Sequence, residues 1–600
     1  MKPIRLTLTA LSVFSFAALS AAPTEVQEPV QSAAPEDIYV PALQTPDNVY
    51  PAENSKPENV YVSDGYKKPN TVTVHGSVQA DILFPETDVE IGTETYSDKV
   101  LGNIFGDVGL YSKYIDAGLR VEYLQHPLPG FVPDYKGWGV PNFYVKGKVG
   151  NFELTAGDFY DQFGSGFILR TYEDRALGID NSIRGARFNT KNIRGFKFTA
   201  LGGIQRRFWD WSLRSNIYGA DAEVYIDQLS QKLTDKGVSW SFGASYVLKY
   251  ERDEDIFVTE PDDPDHDYKL KLPKYVSAFD IRTLFGKNGW NFLLEYAWKS
   301  QDPSYFNNYT YPHGDAIMFS GSYSKSGLGA LIQVKRSENM AFHSRRTESE
   351  AATYINNMPP FAYQSTYALA SIYPYATQDA AGEWAFQAQF NYRFKRKTAL
   401  GGKYGTMIKL NWSYIRGLKH SDFDQPHNTP AGTFGGKTSF FGMGEVFYHD
   451  LNVQIEKRIV RDFLLDFTYV NQLYNQTVIE GHGGNVKSNI FILEGKYTIS
   501  KKVTARMELQ YLTTKQDQKD WAYGLLEVSV LPYLMFSVSD MWNCGDTGTH
   551  YYMGAVTANY KANRFMIGYG RTRAGYNCSG GVCRYVPAFR GVQISYNYNF

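Results

Sequence analysis

The stretch RGVQISYNYNF, residues 590–600, sets Val592, Ile594, Tyr596, Tyr598 and Phe600 on one face of an extended chain and Gln593, Ser595, Asn597 and Asn599 on the other. Successive side chains of a strand point to opposite faces, so one face here is apolar and the other polar. A strand of this kind that finishes on an aromatic residue is expected at the end of a bacterial outer-membrane β-barrel. On that expectation the terminus at Phe600 is the signal that a barrel-assembly machinery reads, and the outer face meets outer-membrane lipid.

The same alternation recurs upstream. Val72, Val74, Val78, Ala80, Ile82 and Phe84 share a face. Ala117, Leu119, Val121 and Tyr123 oppose Arg120 and Glu122, and Trp290, Phe292, Leu294, Tyr296 and Trp298 oppose Asn291, Glu295 and Lys299. Trp384, Phe386, Ala388, Phe390 and Tyr392 oppose Gln387, Gln389, Asn391 and Arg393, and Ala505, Met507, Leu509 and Tyr511 oppose Thr504, Arg506, Glu508 and Gln510. Charged faces like these are unfavourable in a dry sandwich core, whereas a wide barrel hydrates them or pairs them across the lumen.

Short connections near 112–114, 150–151, 190–192, 286–289, 325–327, 395–402, 458–461, 500–501, 532–533 and 561–563 alternate with longer ones, and 229–237 is less tight. The count predicts an all-β fold: a large single-chain antiparallel transmembrane β-barrel of about 24 strands, an even number within 20–26, with both termini on the periplasmic side. The long segments near 85–102, 126–141, 253–273, 338–382 and 417–443 then form the external surface or fold into the pore.

Composition agrees, since a mean hydropathy of −0.38 accompanies 16% aromatic residues and 46 Tyr. A barrel hides its hydrophobicity from an average because lipid-facing and lumen-facing residues alternate. The net charge of −1 argues against broad polyanion binding, and no nucleic-acid partner is expected.

Lys2 and Arg5 precede the apolar run Leu6–Leu19 and the small residues Ser20, Ala21 and Ala22, which predicts a signal peptide over 1–22. Residues 23–70 are proline-spaced and predict a disordered periplasmic extension, followed by the barrel over 71–600. The extension is too short for a folded plug domain, which disfavours a TonB-dependent transporter.

Three eleven-residue repeats place Tyr39, Tyr50 and Tyr61 in the same proline-led context. They read either as a stiff tether or as a trivalent docking segment for a periplasmic protein partner.

The densest charge lies in 157–188, GDFYDQFGSGFILRTYEDRALGIDNSIRGARF. Strand rhythm breaks there, and two alternating-sign sets, Arg170/Glu173/Asp174/Arg175 and Asp180/Arg184/Arg187, predict a loop folded inward against the wall. Such a loop is either a salt-bridged latch or a luminal constriction that orients an ionic or sugar-like solute. Arg206 and Arg207, followed by Phe208-Trp209-Asp210-Trp211, add either sugar stacking or part of an interfacial girdle. The 157–188 stretch also resembles a family of large, functionally uncharacterised outer-membrane β-barrel proteins from Bacteroidota. The resemblance implies a single-chain barrel and brings no catalytic role.

The acidic loop Asp253–Asp267 has carboxylates enough for calcium but lacks the spacing of a dedicated calcium loop, so a solvated loop is expected. Cys544, Cys578 and Cys583 fall in predicted external loops; the short Cys578/Cys583 spacing favours a disulfide closing the last one, with Cys544 as competitor. No metal site, cofactor or catalytic constellation is expected. Two functions remain: a channel or porin-like pore for small polar solutes, and a largely plugged structural or assembly component that recruits periplasmic partners through its repeats.

Overall fold

The computed structural model describes residues 72–211, 213–260, 263–420 and 430–600. The predicted signal peptide and the repeats with Tyr39, Tyr50 and Tyr61 lie outside the described residues. Twenty-four strands form one antiparallel sheet. The first, Thr73–Glu86, pairs with Leu101–Tyr111 on one side and with the last, Phe589–Asn599, on the other, so the sheet closes into a barrel.

Alternation builds the wall. In Ile115–His126, Leu119, Val121 and Tyr123 stand on the outer surface while Arg120 and Glu122 are buried inside. In Val503–Thr514, Met507, Leu509 and Tyr511 face out and Glu508 and Gln510 face in. In the last strand Gln593 and Ser595 are buried on the inner side. An outer face this apolar over a whole barrel belongs in lipid, and the fold is that of a transmembrane β-barrel.

Turns at the end that carries Thr73 and Asn599 are mostly tight, as at 112–114, 150–151, 288–289, 461–462 and 561–562. The connection after Ser215–Tyr225 is longer because it winds through two short helices, Ile226–Leu229 and Gln231–Asp235. The opposite end carries the long connections. The one placed at 417–443 from sequence is shorter, since the strands Thr406–His420 and Thr438–Val460 run into it and pair through an irregular register beyond Ile415.

Two of these long connections, 160–182 and 339–382, turn into the lumen. Phe163, Phe167, Ile168, Leu169, Met340, Phe342, Ile355, Met358 and Leu369 form one apolar core with inward wall residues that include Val247, Val276, Ala278, Ala297, Ala316 and Ala385. The alanines leave the room that these loops occupy.

Candidate functional site: the occluded lumen

The loop 160–182 is latched to the wall at both ends of its course. At Gly164, φ is +52° and a Cβ would lie 2.5 Å from Glu295 Oε1 and 2.8 Å from Asp280 Oδ2, so a side chain there would push the wall carboxylates aside. Next to it the Ser165 amide and hydroxyl donate to Glu295 at 2.9 and 2.6 Å. Farther on, Arg120 of the wall meets Glu173 at 2.7 Å and Asp180 at 3.1 Å, besides its wall neighbour Asp107 at 2.8 Å. Arg206 bridges Asp180 at 2.6 Å and Glu122 at 2.7 Å.

The charged residues singled out from sequence separate into different roles. Arg175 pairs with Glu173 and with Asp107, the latter at 2.9 Å, and those carboxylates hold its pKa above the ordinary arginine value despite burial. Asp174 accepts the Leu177 amide at 3.0 Å. Arg187 pairs with Asp161 at 2.7 Å. Arg184 is a correction: it is not luminal. In the strand Ile183–Thr190 the inward positions are those of Ile183 and Arg187, and Arg184 has the opposite parity. It lies over Phe143 and Trp211 and pairs with Asp158 at 2.9 Å on the outer side.

Arg170 differs from all of these. It is 3% exposed, its Nε and Nη1 are buried without a hydrogen-bond partner, and among the described residues no carboxylate pairs with it. Burial pulls its pKa below the ordinary arginine value, with only Tyr172 acting against that. The Arg206-Arg207 pair is structural: Arg207 meets Asp134 at 2.8 Å and Glu348 at 2.6 Å, and Trp209 Nε1 donates to the Tyr135 carbonyl.

The second loop, 339–382, is gripped by three buried lysines of the wall. Lys249 Nζ donates to the His343 carbonyl at 3.0 Å and to Asp302 at 2.6 Å. Lys299 donates to the Ala341 carbonyl, and Lys335 to the Pro359 carbonyl at 2.8 Å. Asn356 Nδ2 ties the two loops together by donating to the Phe167 and Met340 carbonyls at 2.9 and 2.8 Å. The loop then crosses the lumen: the Tyr363 amide donates to Ser413 Oγ at 3.1 Å and the Leu369 amide to Gln510 Oε1 at 2.8 Å. Sequence reasoning missed these lysines as tethers, although Lys299 stood out on an inward face.

A third element closes over the first two. The hairpin Gly575–Ser579 with Val582–Val586 is joined by a Cys578–Cys583 disulfide, while Cys544 is free. Val582 packs on Tyr172, Leu177 and Ile179, and Arg584 lies 4.0 Å from the Phe131 ring and donates to the Ala176 carbonyl at 2.9 Å. Burial pulls the Arg584 pKa down to about 10, against Asp174. Part of the acidic loop forms the hairpin Phe257–Glu260 with Asp263–Lys269, and Lys269 pairs with Asp255.

Three cavities stand out, one of them, of about 670 Å³, among Asp161, Arg187, Thr199, Asp221 and Glu223 toward the end that carries the termini; the other two adjoin the in-folded loop 339–382. Of these two, one of about 780 Å³ reaches from Ser239, Ser241 and Gly286, near the end carrying the termini, to Arg170 and Pro359–Ala362. The other, of about 480 Å³, opens among Leu128, Phe131, Arg573 and Arg584 at the loop end. Both are bounded by Ala362 and Gln364. The segment 359–364, held by Lys335, is therefore a partition between two vestibules.

A barrel whose lumen is divided by its own in-folded loops is the class this fold defines. The chain belongs to the family of unknown function DUF6029, whose profile matches residues 59–600. No curated protein matches it. Among solved structures it is similar to OccAB3 of Acinetobacter baumannii, with 9% identity over 88% of this chain and 99% of that one and a TM-score of 0.33. It is also similar to a mutant of the ferric enterobactin receptor PfeA of Pseudomonas aeruginosa, with 8% identity over 89% and 81% of the two chains and a TM-score of 0.40. OpdL of Pseudomonas aeruginosa shares 12% identity over 74% of this chain and 99% of its own, with a TM-score of 0.35.

Proposed function

We propose that this chain is an outer-membrane channel for small polar solutes, biased toward anions, whose throughput is set by its own in-folded loops. The observation that carries the proposal is the pair of vestibules meeting at Ala362 and Gln364. A barrel built only as a scaffold needs no cavity on either side of a thin partition. Arg175, Arg571, Arg573 and Arg584 border the loop-end vestibule with no carboxylate among them, while the other is bordered by Arg170, Asp174 and Asp227; fixed cationic groups at the entrance of a path favour anions. The proposal assigns transport and no catalysis, with the 23–70 extension in the periplasm of a Bacteroidota cell and assembly through the strand ending at Phe600.

Reversal potentials of the reconstituted protein in a salt gradient test this. An anion-selective conductance is expected. Folded, heat-modifiable protein that never conducts overturns it in favour of a structural component, a reading favoured by the dense apolar packing of the loops and by the N-terminal repeats.

A further inference from the structure

We infer that the 780 Å³ vestibule beneath the partition is a binding site for a small organic oxyanion, whose charged group pairs with Arg170. An arginine 97% withdrawn from solvent, with Nε and Nη1 unpartnered and no carboxylate beside it, is unfavourable unless something supplies the counter-charge. The surrounding arginines Arg120, Arg175, Arg187 and Arg206 are all paired with carboxylates, and Arg584, which is not, donates to the Ala176 carbonyl, whereas among the described residues the Arg170 guanidinium has neither.

The position has a second donor. Arg170 Nη2 and Asn357 Nδ2 each lie 3.8 Å from the point that a Cβ on Gly580 would occupy. That point is one bond from the Gly580 Cα, so the two nitrogens flank the tip of the disulfide hairpin. Two donors at the border of the cavity that Arg170 and Gly580 line can share the oxygens of one carboxylate or phosphate.

The rest of the vestibule suits a hydroxylated body. Ser239, Ser241, Ser320 and Ser322 border it from two wall strands, with Asn291 between them and Gln333 on the strand beyond Ser320. Its two acids are engaged away from Arg170. Asp174 accepts the Leu177 amide, and Asp227 accepts the Trp240 amide at 3.0 Å at the far end. The chemistry therefore selects a sugar acid or sugar phosphate over the neutral sugar. This inference deepens the channel proposal, but binding is read without a membrane, so its failure is distinct from absence of conduction.

The test is calorimetry on the folded, detergent-purified full chain with gluconate, glucose 6-phosphate and glucose. Saturable binding of at least one anion is expected, at least about ten-fold tighter than glucose; which anion binds decides between carboxylate and phosphate. Arg170→Gln should weaken binding at least about ten-fold, with partial recovery in Arg170→Lys, and the outward Arg184→Gln should bind as wild type. Gly580→Asp keeps Arg170 but places a carboxylate within reach of it, at a left-handed position that Asp tolerates, and should abolish anion binding by supplying the counter-charge itself. No saturable binding of either anion, or equal binding by wild type, Arg170→Gln and Gly580→Asp, overturns the inference.

Discussion

Lys335 Nζ donates to the Pro359 carbonyl oxygen at 2.8 Å and lies 2.9 Å from Glu383, all within a fully buried part of the lumen. Glu383 in turn accepts from the Tyr375 hydroxyl and from the Gln378 amide at 3.1 Å. One wall lysine thus fixes the start of the partition, and its counter-ion fixes the part of the same loop that returns to the wall. A buried ion pair contributes little net stability, but it holds a geometry, because removing one partner strands the other's charge.

Lys335→Met should therefore be strongly destabilising locally, by about 3–5 kcal/mol, since Glu383 is left buried and unpaired. Limited proteolysis of intact cells should cut within 339–382 in this variant and spare wild type. Adding Glu383→Gln should recover most of the thermal stability, because no isolated charge remains. Equal protease resistance in wild type and Lys335→Met would show that the lysine does not hold the loop.

His343 sets a pH dependence. It is buried between the rings of Phe306 and Tyr354, with centroids 4.1 and 4.2 Å away, and burial pulls its pKa down to about 3. Its folded value lies below the unfolded one, near 6.5, so its contribution is full above about pH 6.5 and is lost as pH falls toward 3. Asp379, raised to about 7 by burial against Lys335 and Lys299, acts in the opposite sense and weakens the loop as pH rises toward 7. His343→Phe should accordingly reduce the loosening of the 339–382 loop between pH 6.5 and 4, read by hydrogen exchange. An unchanged acid response would exclude His343 as its source.

Much of the fold is legible in the sequence because a two-residue period is a local signal. Arg120 and Glu122 between Leu119, Val121 and Tyr123 state which side faces lipid, and tight turns such as 150–151 and 561–562 state the strand count and the common end of the termini. Dense charge also marks 157–188 as out of strand rhythm. The face of Arg184 was not legible because the strand restarts at Ile183 after a loop of irregular geometry, so the parity separating Arg184 from Arg187 had no anchor. The tethers of the second loop were hidden for another reason: Lys249 reaches the His343 carbonyl, and a main-chain acceptor 94 residues away leaves no mark in sequence. The available signal was compositional, since Met340, Phe342, Ile355, Met358 and Phe361 are too apolar a set for a solvated external loop.

Cys578 and Cys583 should be recovered as a disulfide, with Cys544 as a free thiol, in non-reducing peptide maps of protein from cells. Replacing both by serine removes the chain-entropy restraint on a short loop, worth about 2 kcal/mol, and should loosen the seat of Val582 on Tyr172, Leu177 and Ile179. Finding both thiols free would refute the pairing.

The tyrosine repeats make a prediction about a periplasmic partner. A tether needs length and stiffness but not the same side chain at each step. Changing Tyr39, Tyr50 and Tyr61 together to serine should release a crosslinked partner, with graded loss in single variants as avidity falls. Full partner capture after residues 35–62 are replaced by a Gly/Ser chain of equal length would make the repeat a spacer.

The most direct test of the partitioned lumen is single-channel conductance before and after the partition is removed. The base of the second loop is pinched, since the Met340 and Ala341 amides both donate to the Asp379 carbonyl, at 2.8 and 3.2 Å. Residues 345–377 can therefore be replaced by a Gly/Ser linker of about eight residues without spreading the wall. Wild type should show a small anion-selective conductance, and the shortened barrel one several-fold larger and less selective. Equal conductance in the two folded proteins would contradict a partition at 359–364.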